Sequence, residues 1–153
     1  MKSLILLLCL VCTSMAFADS EVDEWYKSKS EYYAVKEAIY GKLYATLRRS
    51  QYGKLIVFVQ IYSPDVCERN GSGVYAHDPL YVNETLIKFS QSCYEDWNHF
   101  FATTEEGSVH IVEQFKNEVF VEFRTYDGTA KFVFSAKGFL EIYNQSGVEE
   151  EAI

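Results

Sequence analysis

The chain has 153 residues, of which 48% are apolar and 24% are charged, so we expect one domain with a substantial hydrophobic core rather than a disordered chain. Its 14 Lys and Arg against 22 Asp and Glu give a formal charge of −8, which argues against a nucleic-acid-binding surface because neutralising phosphate needs clustered cations. Only 2 Pro and 8 Gly exclude the collagen-like and Pro-rich linker classes.

Residues 1–18 have the pattern of a secretory signal peptide. Lys2 supplies the positive start, residues 4–11 form a short apolar run, and Ala-Phe-Ala at residues 16–18 has the form of a cleavage site. The run is shorter than the roughly 20 apolar residues that span a bilayer, although an uncleaved N-terminal anchor is the alternative. We therefore expect an extracytoplasmic protein, periplasmic or secreted, with no transmembrane segment after cleavage.

Removal of the signal peptide would leave two of the four cysteines, Cys67 and Cys93. Two cysteines in an exported chain most simply form one disulfide. Such a bond closes a loop of roughly 25 residues and stabilises the fold by about 3–4 kcal/mol in the chain-entropy account. A reactive or metal-binding thiol is the alternative, but the sequence has no Cys-x-x-Cys and no ligand-spaced histidine nearby.

Three of the asparagines, Asn70, Asn83 and Asn144, lie in N-x-Ser/Thr sequons, which would suit secretion from a eukaryotic cell. The same residue types also gather in turns for conformational reasons. The form of the signal peptide favours a Gram-negative bacterium, and eukaryotic secretion is the second choice.

The first part of the expected domain contains one isolated tryptophan and a dense apolar segment. Trp25 stands in a polar stretch, residues 19–31, which predicts a short strand that places this ring in the core. Residues 32–48 fit either a helix or a strand. Residues 55–62 are rich in β-branched and aromatic residues, which predicts a central strand buried on both faces. We interpret residues 43–62 as a hairpin.

The middle of the chain reads as two loops that flank one strand. Residues 63–80 form the longest stretch with turn-forming residues, and residues 81–90 alternate as a strand does. Residues 91–102 read as the next loop. The expected disulfide would tie the first loop to the end of the strand, and loops on an anchored scaffold often carry binding residues.

The last third predicts a helix, a hairpin and a second helix. Thr103-Thr104-Glu105-Glu106 has the capping hydroxyls and first-turn acids that begin a helix, which would end near Asn117. Asp127-Gly128 would form a type I′ turn in a hairpin. A short helix is expected within residues 135–144, and residues 147–153 are expected to form an acidic tail.

These elements predict a mainly β fold with a smaller helical part. The expected architecture is an antiparallel two-sheet sandwich with one packed amphipathic helix and a short C-terminal helix. The expected organisation is a signal peptide over residues 1–18, a single β-rich domain over residues 19–146 and the tail over residues 147–153.

The sequence has few groupings that suggest catalysis. It contains no G-x-S-x-G, no phosphate-binding loop and no H-E-x-x-H, so we expect no catalytic residues, no cofactor and no metal. The alternative is a metal-binding or hydrolytic protein that uses His77, Asp78, Asp96 and His99, if the disulfide brings their loops together. Such a site needs three or four converging ligands.

Aromatic residues are abundant, with 12 Tyr, 11 Phe and 2 Trp. Most are expected in the core, but several lie in or beside the two predicted loops, where Tyr and Trp suit protein contacts because they bury a large area at a low entropy cost. The predicted binding residues are Tyr75, His77, Asp78, Tyr94, Trp97 and His99.

The order of features resembles the invasion-associated locus B family of small exported bacterial proteins. The resemblance rests on the early Trp25, on Val-Asn-Glu-Thr-Leu at residues 82–86, on Cys93, and on Lys-Gly-Phe at residues 137–139 after a helix and a strand pair. It covers most of the mature chain, but its motifs are short. It implies a β-sandwich in the cell envelope and no established catalytic residues.

We therefore expect a non-enzymatic exported protein that binds another envelope or secreted protein, as an inhibitor or accessory factor. An acidic inhibitor would suit a basic target such as a wall-degrading enzyme, because opposite charges steer the encounter. A purely structural envelope component is a further alternative that the residues do not separate from a binding protein.

Overall fold

The computed structural model describes residues 20–148. The expected signal peptide and residues 149–153 of the expected tail lie outside the described residues. The strands are β1 (Tyr26–Lys27), β2 (Tyr33–Lys36), β3 (Leu43–Arg49), β4 (Leu55–Tyr62), β5 (Val74–Val82), β6 (Thr85–Tyr94), β7 (Trp97–Ala102), β8 (Phe120–Thr125) and β9 (Lys131–Ser135). The helices are α1 (Ser20–Asp23), α2 (Pro64–Asn70), α3 (Glu105–Asn117) and α4 (Phe139–Val148).

The mainly β fold is confirmed, but the two-sheet sandwich is not what the chain forms. All nine strands belong to one antiparallel sheet, in the order β1-β2-β3-β4-β7-β6-β5-β8-β9, and this sheet curls into a half-barrel. A sandwich needs a second sheet to cover the apolar face of the first. Here α3 covers that face by packing on β4, β7 and β8.

Strand register assigns each side chain to one of two faces. We call the face that packs on α3 the inner face and the opposite one the outer face. Val59, Phe89 and Phe123 are inner residues that are buried in the core. Because side chains alternate along a strand, Phe58, Gln60 and their cross-strand partners lie on the outer face.

The hairpin over residues 43–62 is confirmed as β3 and β4, and β4 lies inside the sheet. The ambiguity over residues 32–48 resolves to strands β2 and β3. Helix α3 is also confirmed, since the Thr104 hydroxyl accepts a hydrogen bond from the Gly107 amide and caps its first turn.

The predicted loops at residues 63–80 and 91–102 are wrong. The first contains α2 and most of β5, because Pro64 occupies the first turn of a helix, where its missing N–H costs nothing. The second contains the end of β6 and all of β7, which pair as a hairpin.

The predicted strand over residues 81–90 is confirmed only in part: residues 81–82 end β5 and residues 85–90 belong to β6, but Asn83 and Glu84 form a turn between the two strands. Asn83 takes a φ of 51°, which asparagine tolerates better than most residues. Its side chain accepts from the Glu122 amide at 2.9 Å and donates to Gln114, which fixes the turn against β8 and α3.

The C-terminal hairpin is confirmed as β8 and β9, but its turn is not of type I′. Only Gly128 has a positive φ, of 73°, whereas the Asp127 carboxylate accepts hydrogen bonds from the backbone and hydroxyl of Thr129. Helix α4 begins at Phe139, later than expected, and its last two residues, Gly147 and Val148, were expected in the tail.

Two polar contacts join the turn after β2 to the edge strand β9, across the opening of the half-barrel. The Ala38 amide donates to the Val133 carbonyl at 2.8 Å, and the Val133 amide donates to the Glu37 carboxylate at 3.3 Å. Trp25, which precedes β1 and is 4% exposed as expected of a core residue, donates its indole N–H to the Ser135 carbonyl at 2.9 Å.

Candidate functional site

The predicted disulfide is confirmed and holds one end of the sheet. It joins Cys67 of α2 to Cys93 of β6, with the two Cα atoms 5.3 Å apart. The Ser63 amide also donates to the Asp96 carbonyl at 2.8 Å, which ties the start of α2 to the β6–β7 turn. Helix α2 and this turn are therefore fixed to each other at two points.

A row of three aromatic rings, two exposed and the central one half-buried, crosses the outer face at this end of the sheet. Tyr62, Trp97 and Tyr94 are cross-strand partners on β4, β7 and β6, and we call them the aromatic row. The Tyr62 and Trp97 ring centroids are 5.5 Å apart. Tyr62 is 56% and Tyr94 67% exposed, so the row presents apolar area to solvent on a rigid sheet.

Two exposed carboxylates, Glu95 and Asp96, form the two-residue β6–β7 turn at the end of the aromatic row. The Tyr62 hydroxyl donates to the Asp96 carboxylate at 3.4 Å. We call the aromatic row together with Glu95 and Asp96 the tip.

Glu95 has a φ of 53°, in the left-handed region that favours glycine. A glutamate there costs backbone free energy that a glycine would not. The backbone geometry alone would favour glycine at this position, yet the residue there carries a charged side chain.

His99 lies behind the aromatic row, on the same face of β7. It is 6% exposed, packs edge-on against Phe58, and is the cross-strand partner of Gln60 and Ser92. Its Nε2 atom is enclosed and has no hydrogen-bond partner within residues 20–148. Burial of the ring, and secondly the nearby Arg48 guanidinium, lower the pKa of His99 from 6.5 to about 4.

This lowered pKa predicts a loss of stability in acid. The unfolded chain binds a proton at His99 near pH 6.5, whereas the folded protein does so only near pH 4. The free energy of unfolding should therefore fall by about 3 kcal/mol as the pH is lowered through this window. Urea unfolding at half-unit pH intervals measures the decrease.

The variant His99→Gln is the matched control, because it keeps a polar side chain that does not titrate. Its stability should be flatter between pH 6.5 and 4.5, and an unchanged slope would contradict the assignment to His99. Hydrogen bonds from the Lys116 ammonium and from the Thr129 backbone lower the pKa of Glu113 and of Asp127 respectively.

The predicted binding residues divide between the two faces of the sheet. Tyr94, Trp97 and His99 lie on the outer face. Tyr75 and His77 lie on the inner face, because they pair with the inner residues Gln91 and Phe89. Asp78 lies in a bulge of β5, between the pairs His77–Phe89 and Leu80–Ile87.

His77 and Tyr75 already have partners inside the fold. The His77 ring packs on Phe100 with centroids 4.9 Å apart, and its Nδ1–H donates to the Asp78 carbonyl at 2.7 Å. The Tyr75 hydroxyl donates to the Asn70 carbonyl at the end of α2 at 2.6 Å. Tyr75 is thus a support for α2 on the side of the sheet opposite the aromatic row.

The alternative metal or hydrolytic set does not come together in this arrangement. His77 and His99 project from opposite faces, Asp78 lies in the β5 bulge, and Asp96 lies in the β6–β7 turn. Over residues 20–148, no group of three or more His, Cys, Asp and Glu side chains is placed to hold a metal ion.

A cleft lies elsewhere, between the start of β4, α3 and Tyr143 of α4. Its volume is about 90 Å³, and Leu55, Val109 and Val112 form its apolar wall. Pockets that enclose small-molecule ligands usually have volumes of at least about 300 Å³. This cleft therefore does not favour a small-molecule site.

Sequence reasoning missed Tyr62 and Glu95 of the tip. It placed Tyr62 in a strand buried on both faces and read Glu95 as a loop residue. One local signal was present, because Tyr94-Glu95-Asp96-Trp97 can be read as a two-residue hairpin with paired aromatics at its base.

No helix within residues 20–148 combines the length and the apolar character that spanning a membrane requires. No protein-family model, curated protein or solved structure matches the chain. The resemblance to the invasion-associated locus B family stays a prediction. The function proposed below rests on the geometry of the tip.

Proposed function

We propose that this protein is a non-enzymatic exported binding domain that captures another extracytoplasmic protein through the aromatic row. The observation that carries the proposal is the exposure of Tyr62 and Tyr94 on either side of the half-buried Trp97, on a sheet end that the Cys67–Cys93 bond holds. The signal-peptide pattern and the resemblance to a family of exported proteins support the compartment.

The composition of the aromatic row supports protein recognition. Tryptophan and tyrosine are the residues that contribute most to protein–protein affinity, since a rigid ring buries a large area and loses little conformational entropy. The row is held by strand pairing on both sides of Trp97, so binding would order few additional side chains.

The surrounding polar groups fit the same role. A typical interface has an apolar centre and a polar rim that stays partly hydrated. Here the rings occupy the centre, and the Glu95 and Asp96 carboxylates and the Tyr62 hydroxyl lie beside them. An inhibitor or an accessory factor for another envelope protein is the activity that such a surface would serve.

The variant Trp97→Ala tests the proposal. We expect it to weaken capture of the partner by about 30-fold or more, because a central aromatic residue contributes about 2 kcal/mol to an interface of this kind. The melting temperature should change little, since the ring is only half-buried. Immobilised wild-type and variant proteins are compared for retention of proteins from an extracytoplasmic extract of the source cells.

Tyr52→Ala is the matched control, because Tyr52 is 80% exposed in the turn between β3 and β4, away from the tip. It should retain the same protein as the wild type does. Equal retention by the wild type and Trp97→Ala would show that the aromatic row is not the binding surface. Retention of no protein at all, over a range of salt concentrations, would contradict the function itself.

A further inference from the structure

We infer that the first half of β5 binds an extended, uncharged peptide segment of another protein, which joins the sheet as a further strand. The part of β5 concerned is residues 74–77, and we call it the open edge. This inference goes beyond the proposed function, because the open edge lies on a different strand from the aromatic row and would bind through main-chain groups rather than through rings.

Strand β5 is paired on both sides only near its end. It pairs with β6 from Val74 to Val82, whereas β8 pairs with it only from Leu80 to Val82. Strand β8 ends at Thr125, and the chain then turns back into β9. Within residues 20–148, the open edge therefore has a paired strand on its β6 side and none on its other side.

The register of β6 shows in which direction its main-chain groups point. The Thr103 amide donates to the Lys88 carbonyl at 2.9 Å, so Lys88 directs its main-chain groups toward the β7 side. These directions alternate from residue to residue along a strand. Phe89 and Gln91 therefore direct their N–H and C=O groups toward β5.

The same alternation identifies the outward groups of the open edge. The β5 partners of Phe89 and Gln91 are His77 and Tyr75, which are therefore the residues that bond to β6. Val74 and Ala76 consequently direct their N–H and C=O groups away from β6. In the described part of the chain these outward groups have no hydrogen-bond partner, so each residue offers one donor and one acceptor to an added strand.

The side chains of the open edge do not prevent such pairing. Natural edge strands avoid other chains by means of lysine, proline, bulges or inward-pointing charges. The open edge instead reads Val-Tyr-Ala-His, and Val74 and Tyr75 are 67% and 44% exposed. A charge and a proline come only at Asp78 and Pro79, in the bulge that ends the open edge.

Helix α2 holds the open edge in place before a partner binds. The Tyr75 hydroxyl donates to the Asn70 carbonyl at 2.6 Å, and the Cys67–Cys93 bond ties the same helix to β6. Gly73 leaves room for the first contact, because a Cβ atom there would lie 2.6 Å from the Tyr75 hydroxyl oxygen. The open edge would therefore lose little conformational freedom on binding.

The size of the open edge favours a peptide segment over a second copy of this chain. Pairing of two copies would use about four residues of each, whereas stable interfaces contain about 20–30 residues a side. The formal charge of −8 on each copy also opposes this pairing. A peptide that binds by strand addition obtains its affinity from the main-chain hydrogen bonds, and β-branched side chains would pack well beside Val74.

The experiment measures hydrogen exchange of single amides by NMR in the full mature chain. The probe is the uncharged peptide acetyl-Ser-Thr-Val-Thr-Val-Thr-Ser-amide, added up to about 1 mM. Without the peptide, the amides of Val74 and Ala76 should exchange much faster than those of Tyr75 and His77, which are bonded to β6. The peptide should slow exchange at Val74 and Ala76 by about threefold or more.

The variants Val74→Pro and Ala76→Pro each remove one outward N–H. They should weaken peptide binding about fivefold or more, because the proline ring also obstructs the added strand, and they should fold because no bond to β6 is lost. The matched control is Lys131→Pro, at the first residue of β9, where the N–H points away from the sheet as that of Val133 does. It should bind the peptide as the wild type does.

Unchanged exchange at Val74 and Ala76 in about 1 mM peptide would overturn the inference. Equal slowing by the same peptide with every backbone nitrogen methylated would also overturn it, as would equal losses of binding in Val74→Pro and Lys131→Pro. Slow exchange at the open edge that depends on protein concentration, without any peptide, would show that a second copy binds there instead. None of these results bears on the aromatic row, which the retention experiment with Trp97→Ala tests separately.

Discussion

Replacing Glu37 with alanine is expected to lower the free energy of unfolding by about 3–5 kcal/mol. The Glu37 side chain is fully buried, and its two carboxylate oxygens accept four backbone N–H groups. The donors are the amides of Ile39 at 2.7 Å, Tyr40 at 2.6 Å, Gly41 at 3.0 Å and Val133 at 3.3 Å.

Three of these amides belong to the turn between β2 and β3, where water can replace the carboxylate in part. The Val133 amide belongs to the edge strand β9 and would lose its acceptor where the two ends of the sheet meet. Urea unfolding measures the loss as a lower urea concentration at the midpoint, with an unchanged dependence of the unfolding free energy on urea concentration.

The variant Glu37→Gln keeps the shape of the side chain and one acceptor oxygen, so it should cost less than Glu37→Ala. The exposed Glu118 offers a matched control, since Glu118→Ala should change stability by less than about 0.5 kcal/mol. A loss below 1 kcal/mol in Glu37→Ala would show that this carboxylate contributes little to the contact between the turn after β2 and strand β9.

Replacing Trp25 with alanine should cost about 4–5 kcal/mol, within the range for removal of large buried rings. The indole packs on Phe115 and Phe139, with ring centroids 5.2 and 4.9 Å away. Its N–H also donates to the Ser135 carbonyl, which would lose its donor. Thermal and urea unfolding both measure the loss.

Trp25→Phe separates the two contributions, because it keeps an aromatic ring and removes the hydrogen bond. We expect it to cost roughly 1–3 kcal/mol. Trp97→Ala removes the other tryptophan of the chain from a half-buried position on the outer face and should cost less. Equal losses in Trp25→Ala and Trp97→Ala would contradict the assignment of Trp25 to the core.

Local patterns predicted the elements that local interactions stabilise. The β3–β4 hairpin, α3 with its Thr104 cap, and the β8–β9 hairpin are each formed from neighbouring residues, so spacing and capping revealed them. Residues 63–80 were misread because Pro64 is as typical of a turn as of the first turn of a helix. Residues 81–90 were read as one strand because the alternation of side chains continues through the turn at Asn83 and Glu84.

The candidate site depends on features that no local pattern shows. Whether a side chain faces α3 or solvent depends on register, and the bulge near Asp78 changes this parity within β5. The sequence therefore placed His77 and His99 in one group, although they lie on opposite faces. The pairing of Tyr62 with Trp97 joins β4 to β7, which are not consecutive, and could not be read from either segment alone.

Trp25 and the residues that accept its hydrogen bonds lie far apart in the sequence, which constrains the order in which the core can form. The indole and its carbonyl acceptor are 110 positions apart, and the Trp25 amide donates to the Lys137 carbonyl, which lies further along still. A polypeptide that emerges from a ribosome with its N-terminus first therefore exposes Trp25 long before Ser135 and Lys137 follow. The Trp25 side chain cannot reach its place in the core until residue 137 has emerged.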